Sequence, residues 1–89
     1  MIAEKNVTIL NSLGLHVRPS AAVAGTAARF RSSVIVLKDG QSVNAKSSID
    51  LLTLAAVAGT LLTLRAEGDD AQEAVNAIAS LIESKFGEE

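Results

Sequence analysis

At 89 residues, with a formal charge of −2 and no cysteine, the chain has room for one domain, residues 1–89, with neither a disulfide framework nor a thiolate metal site. Hydrophobic residues make up 48% of it, yet only Phe30 and Phe86 are aromatic, so the core must come from Leu, Ile, Val and Ala, and single-stranded nucleic acid would find few rings to stack on. The opening "MIAEKNVTIL" lacks a signal-peptide pattern and no apolar run approaches the ~18 residues of a membrane span, so a soluble, cytoplasmic chain without membrane insertion is expected.

"NVTILN", residues 6–11, alternates Val7 and Ile9 against Thr8 and Leu10, which predicts a strand broken by "SLG". From Val17 to Phe30, Val23, Ala27 and Phe30 recur at helical spacing with Ala24 beside them. Pro19 falls in the first turn, where its missing N–H costs nothing. "SVIVLKDGQSVNA", residues 33–45, holds a β-branched run, an Asp39-Gly40 turn and a weaker strand through Val43, which together predict a hairpin. Residues 47–59 open on cap residues. Ser47 and Asp50 fit the S-x-x-D form of a capping box, and a short helix ended by Gly59 should follow. "TLLTLRAE", residues 60–67, reads as a fourth strand. Beyond it, Ala71, Ala74, Val75, Ile78, Leu81, Ile82 and Phe86 form the stripe of a third helix, with Asp70 and Glu73 as its cap and Gly87 as its stop.

The order β-α-β-β-α-β-α contains a hairpin and strands that alternate with polar residues. A sheet with one wet face and all helices on the other follows, an open-faced α+β sandwich.

"GLHVRPSAA", residues 14–22, concentrates the chemistry: the only histidine, His16, then Arg18, then the only proline. On this scaffold His16 lies at or just before the start of the first helix. First-turn amides have no intrahelical acceptor and, with the helix dipole, favour an anion; Val17, Arg18 and Ser20 are the expected donors, Pro19 having none. The same positive end disfavours a protonated imidazole and leaves a neutral ring with a free lone pair, a nucleophile. Arg18 could neutralise phosphate oxygens. No second histidine, phosphate-binding glycine loop or carboxylate cluster completes a hydrolytic site, so a phosphoryl group on His16 would be stored for another protein rather than given to water. From these residues alone, a helix-capping or merely exposed histidine is an equal alternative. One histidine without neighbouring ligands cannot hold zinc, so neither metal nor cofactor is expected. Arg18, Arg29, Arg31, Lys38 and Lys46 stand against Asp39 alone between Val17 and Lys46, while acids crowd the last third. These are either solvated faces or a basic face around His16 that meets acidic partners.

Asn11-x-x-Gly14-Leu15-His16-x-Arg18-Pro19, then Asn44-Ala45-Lys46-Ser47, the Asp-Gly hairpin, the "AEG" after the fourth strand and the closing "FGEE" resemble the HPr family, the histidine-containing phosphocarriers of the bacterial sugar phosphotransferase system. The likeness runs from about residue 5 to 88. It implies a four-stranded antiparallel sheet covered on one face by three helices, and a carrier rather than an enzyme. His16 would be phosphorylated on Nδ1 by phospho-enzyme I, itself charged from phosphoenolpyruvate, and would pass the group to a histidine of an enzyme IIA domain, with Arg18 holding the phosphate. Ser47 matches the family's regulatory serine, the target of an HPr kinase/phosphorylase. Ser48, Ile49, Asp50 and Leu52 would belong to the docking patch, and a monomer suits a carrier that shows one face to successive partners.

Three differences from the family pattern stand out. Val17 stands for a small or hydroxyl residue and Ser20 for a frequent alanine, while Ser48-Ile49-Asp50 replaces two bulky apolar residues followed by Gly or Lys. The docking patch is thus smaller and carries an acid. Asp50 also opposes a phosphoserine at position 47, since both would face the same helix amides. The altered patch motivates a different function, a regulatory interaction module with little part in sugar uptake. Nucleic-acid binding, a third class, has no support in the composition.

Overall fold

The computed structural model describes residues 1–88. The chain forms β1 (Ile2–Thr8), α1 (Val17–Ala27), β2 (Ser33–Lys38), β3 (Gln41–Asn44), α2 (Ser48–Thr53), β4 (Leu61–Glu67) and α3 (Ala71–Glu83), then a 3₁₀ turn at Lys85–Gly87. The four strands make one antiparallel sheet in the order β1-β4-β2-β3, and three helices pack on one of its faces, as expected.

Period-two alternation sorts the two faces. Ala3 and Val7 of β1, Val34 and Val36 of β2, and Leu62, Leu64 and Ala66 of β4 are buried, packed with Val23 and Ala27 of α1, Leu51 of α2, and Ala74, Val75, Ile78 and Ile82 of α3. The alternate residues are more exposed, and Arg65 there donates to the Glu4 carboxylate at 2.7 Å and Thr63 to Asn6 at 2.8 Å. Asp39 (φ 48°) and Gly40 (φ 83°) are both left-handed, the geometry a two-residue hairpin turn requires.

The structure moves several boundaries, each for a non-local reason. β1 runs from Ile2 rather than from residue 6, because its register with β4, Ile2↔Glu67 to Thr8↔Leu61, supplies partners that alternation could not reveal. Ile9 prolongs that pairing through its amide to the Thr60 carbonyl (2.9 Å). The first helix ends at Ala27, three residues early, where Arg29 and Phe30 donate to Thr26 and Ala27 in tighter i→i−3 turns. α2 ends at Thr53, well before Gly59, because the Ala56 carbonyl turns away to accept the Leu15 amide at 2.8 Å.

The expected caps also differ. Ser47 Oγ accepts the Asp50 amide at 3.2 Å, but the Ser47 amide donates to the Asn44 carbonyl (3.1 Å), so only half of the capping box forms. Asp70 makes no side-chain cap to α3. Its carboxylate instead accepts the Arg31 and Ser32 amides (3.0 and 2.9 Å) and the Ser32 hydroxyl, and these bonds, the hydroxyl first, lower its pKa to about 2.

To leave α2, Ala55 adopts φ 50°, a left-handed backbone that a Cβ disfavours by roughly 1–2 kcal/mol. Its methyl group is exposed, so little packing depends on it. Ala55→Gly is therefore expected to stabilise the fold by about 1 kcal/mol, read as a higher urea midpoint with an unchanged denaturant slope.

Candidate functional site

The site begins where β1 gives out. The Asn11 carbonyl accepts the Gly14 amide at 3.1 Å, and its buried Nδ2 donates to the Gly14 carbonyl at 2.8 Å, closing a tight turn. Gly14 sits at φ 71° against the chain after α2, where a Cβ would overlap the Ala56 carbonyl oxygen and lie 3.0 Å from Val57 Cα. Leu15 is buried and bonded to that same carbonyl, so the next residue is presented from an anchored backbone.

That residue is His16, the N-cap of α1. Its backbone is extended (φ −80°, ψ −166°), and its ring makes no bond to the helix amides. The capping alternative left open by the sequence is therefore not realised. Its carbonyl instead accepts the Ser20 amide at 3.0 Å, the first bond of the helix. Ser20 thus cannot serve as an anion donor, contrary to expectation: as the fourth helical residue it reaches the N-cap carbonyl. Its hydroxyl is also committed, to the Leu15 carbonyl at 3.2 Å. Val17 and Arg18, in the first turn, keep amides without an intrahelical acceptor. The Arg18 side chain is exposed and unpaired among the described residues.

A residue that the sequence reading passed over completes the site. Glu88 Oε1 lies 3.0 Å from His16 Nε2 and accepts from Asn11 Nδ2 at 2.9 Å. The His16 bond, then the Asn11 bond, hold its carboxyl below the usual glutamate range, with the charges of His16 and Arg18 adding to them. Asn11 stood in the motif as a spacing residue, and here its amide is the bridge between the Gly14 turn and Glu88. Glu88 lies 72 positions from His16, a separation over which no local pattern carries a signal. The Asn11 Oδ1 atom is buried and has no hydrogen-bond partner among the described residues.

The second predicted cluster flanks this one on α2, which packs against α1. Ile49 is 73% exposed and Leu52 is 37% exposed; Ser48 and Asp50 are half-buried. Three further apolar side chains, Leu13, Val17 and Val57, are exposed on the segments joined at Gly14 and Leu15. The sequence reading confined the patch to α2; apolar residues either side of the "GLH" loop were the available sign of its extension. Ser47 is half-buried at the N-cap of α2.

Against known proteins, residues 3–84 match the family described as "PTS HPr component phosphorylation site". The chain is 42% identical over 85 residues to the phosphocarrier protein HPr of Cupriavidus necator, covering 96% of each protein. It is likewise 42% identical over 84 residues to the HPr-like protein Crh of Halalkalibacterium halodurans, covering 94% of this chain and all of that one. Its fold superposes on the crystal structure of HPr-C-His from Thermoanaerobacter tengcongensis with a TM-score of 0.93 and 47% identity, over 98% of both chains.

Gly14 is the residue on which this geometry turns. Gly14→Ala must adopt a left-handed backbone and displace the Ala56 carbonyl, and is expected to cost about 3 kcal/mol of unfolding free energy. Urea denaturation checks it.

Proposed function

This chain belongs to the HPr family of phosphocarrier proteins of the phosphotransferase system, and from that premise we propose that His16 Nδ1 takes a phosphoryl group from phospho-enzyme I and passes it to enzyme IIA proteins. The observation that carries this reading is the presentation of His16: a half-buried ring at the helix start that caps nothing, with the unpaired Arg18 two residues on. In the transfer, the Nδ1 lone pair forms the bond to phosphorus as the donor's bond breaks and its electron pair leaves with the donor. Arg18 neutralises the equatorial oxygens, and the Val17 and Arg18 amides add to the positive field at the helix start. Val17, Ile49 and Leu52, with Ser48 and Asp50 on either side of Ile49 in the chain, form the surface on which partners dock.

Incubation with phosphoenolpyruvate and a cognate enzyme I should add one acid-labile phosphate to the chain and none to His16→Ala, read by mass spectrometry. Failure to load the wild-type chain sinks the proposal. Arg18→Ala should still load, but about ten-fold more slowly or worse, the loss of a charge-assisted bond.

Ser47 would serve as a regulatory site for an HPr kinase/phosphorylase. The altered patch on α2, together with likeness to an HPr-like protein, Crh, at the same identity as to HPr, supports a second reading, a regulatory interaction module with little part in sugar uptake. On that reading His16→Ala leaves partner binding intact, whereas replacement of Ser47 abolishes the regulatory effect. Asp50 bears on Ser47 in either case. Its carboxylate lies in the first turn of α2, where a phosphoserine dianion would gather. Asp50→Asn, which keeps the amide bonded to Ser47, should raise the kinase's efficiency on Ser47 about two- to five-fold, and equal efficiency in the two proteins would refute the repulsion.

A further inference from the structure

Beyond α3 the chain takes a path that has one evident result. Lys85 (φ 59°), Phe86 (φ 56°) and Gly87 (φ 74°) are successively left-handed, a conformation that a Cβ disfavours at the first two. Phe86 is half-buried against the core, and the Gly87 and Glu88 amides donate back to Ser84 and Lys85 at 3.2 and 2.9 Å. The reversal brings Glu88 to the loop before α1, where its carboxylate meets the imidazole. The His16 side chain there is 33% exposed and that of Glu88 19%. Asn11 Nδ2, buried and already bonded to Gly14, aims the carboxylate.

The chemistry of this contact is directional. An ionised carboxylate only accepts, so the partner 3.0 Å away must donate, and Nε2 carries the ring proton. In a neutral imidazole the lone pair then lies on Nδ1. When Nδ1 bonds to phosphorus with Nε2 still protonated, the ring becomes a phosphoimidazolium and gains a positive charge. When the phosphoryl group departs, the Nδ1–P electron pair returns to the ring, which leaves as neutral imidazole. Had Nε2 lost its proton, the leaving group would be an imidazolate, far more basic and slower to depart. The groups that act on the ring from neighbouring elements are the Glu88 carboxylate, opposing the Arg18 charge and the amino-terminal end of α1.

Resting on the carrier reading, we propose that Glu88 is a positioning residue for both directions of transfer: it holds the proton on Nε2, reserves Nδ1 as the nucleophile, and balances the charge of the phosphorylated ring. The arrangement parallels the aspartate that orients and stabilises the histidine of a serine protease triad.

Glu88→Gln tests this, because the amide oxygen can still accept from His16 and Asn11 while the charge is gone. Loading from phospho-enzyme I is expected to slow on the order of ten-fold, and the pH at which the phosphorylated ring gives up its Nε2 proton, followed by 31P NMR, should fall by about one unit. In the unphosphorylated protein, 15N spectra should show the neutral ring with its proton on Nε2, and Glu88→Ala should add a visible share of the Nδ1–H form. If Glu88 merely ties down the chain end, Glu88→Gln matches the wild type in loading and in ring titration, and the proposal is overturned. A wild-type chain that takes up no phosphate refutes the carrier reading instead, and the 15N spectra still decide whether Glu88 holds the ring.

Discussion

One hydrogen bond, from the Leu15 amide to the Ala56 carbonyl at 2.8 Å, ties the loop before α1 to the loop after α2. Much of the site follows from it. For the two backbones to come this close, position 14 must be glycine, since any Cβ would strike the Ala56 carbonyl. For Ala56 to face the loop, α2 must stop early and Ala55 must turn left-handed. The cost of that turn is local, whereas the return is a fixed origin for α1 and for the histidine at its cap.

Around this clasp the protein commits buried polar groups to holding a small amount of chemistry still. Asn11 uses both bonds of its Nδ2 on the site and leaves Oδ1 without a partner among the described residues, a cost of about 1–3 kcal/mol. Ser20 commits its amide and its hydroxyl to the two residues before the helix. These groups are second to the histidine in the chemistry but decide its geometry, because a small core of Ala, Val, Leu and Ile can pack densely without fixing the angle of one half-buried ring. A phosphoryl carrier has need of such fixity. It must offer the same nitrogen to a donor and an acceptor in turn, on a surface open enough for both.

Charge is arranged by the same economy. Asp70 and Glu88 are carboxylates drawn below their ordinary range by hydrogen bonds, one to the chain after α1 and the other to the ring before it. Asp50, in the first turn of α2, receives no such partner for its carboxylate among the described residues, and its backbone amide donates to the serine that caps the helix. The first two carboxylates stabilise an arrangement, while the third adds its charge to the first turn of α2.

What could be read without coordinates was whatever depends on neighbours a few positions apart. The α3 stripe from Ala71 to Ile82, the Asp39-Gly40 hairpin, the strand alternation and the Gly14-to-Pro19 motif are patterns of period two or 3.6, or single residues with restricted backbones, and the structure realises each; the expected last member of the stripe, Phe86, and the expected stop, Gly87, fall beyond the helix, which ends at Glu83. The element order and the antiparallel sheet followed from them. Tertiary structure decided the rest because the deciding partner was distant. Register with β4 extended β1 back to Ile2, and Leu15 ended α2 before Gly59 could. Asp70 stood where a helix cap is expected, and the unpaired amides of Arg31 and Ser32 won its carboxylate. Glu88 shows the limit most plainly: a glutamate near the end of a chain carries no local mark, and only the reversal at Lys85–Gly87 turns it toward His16.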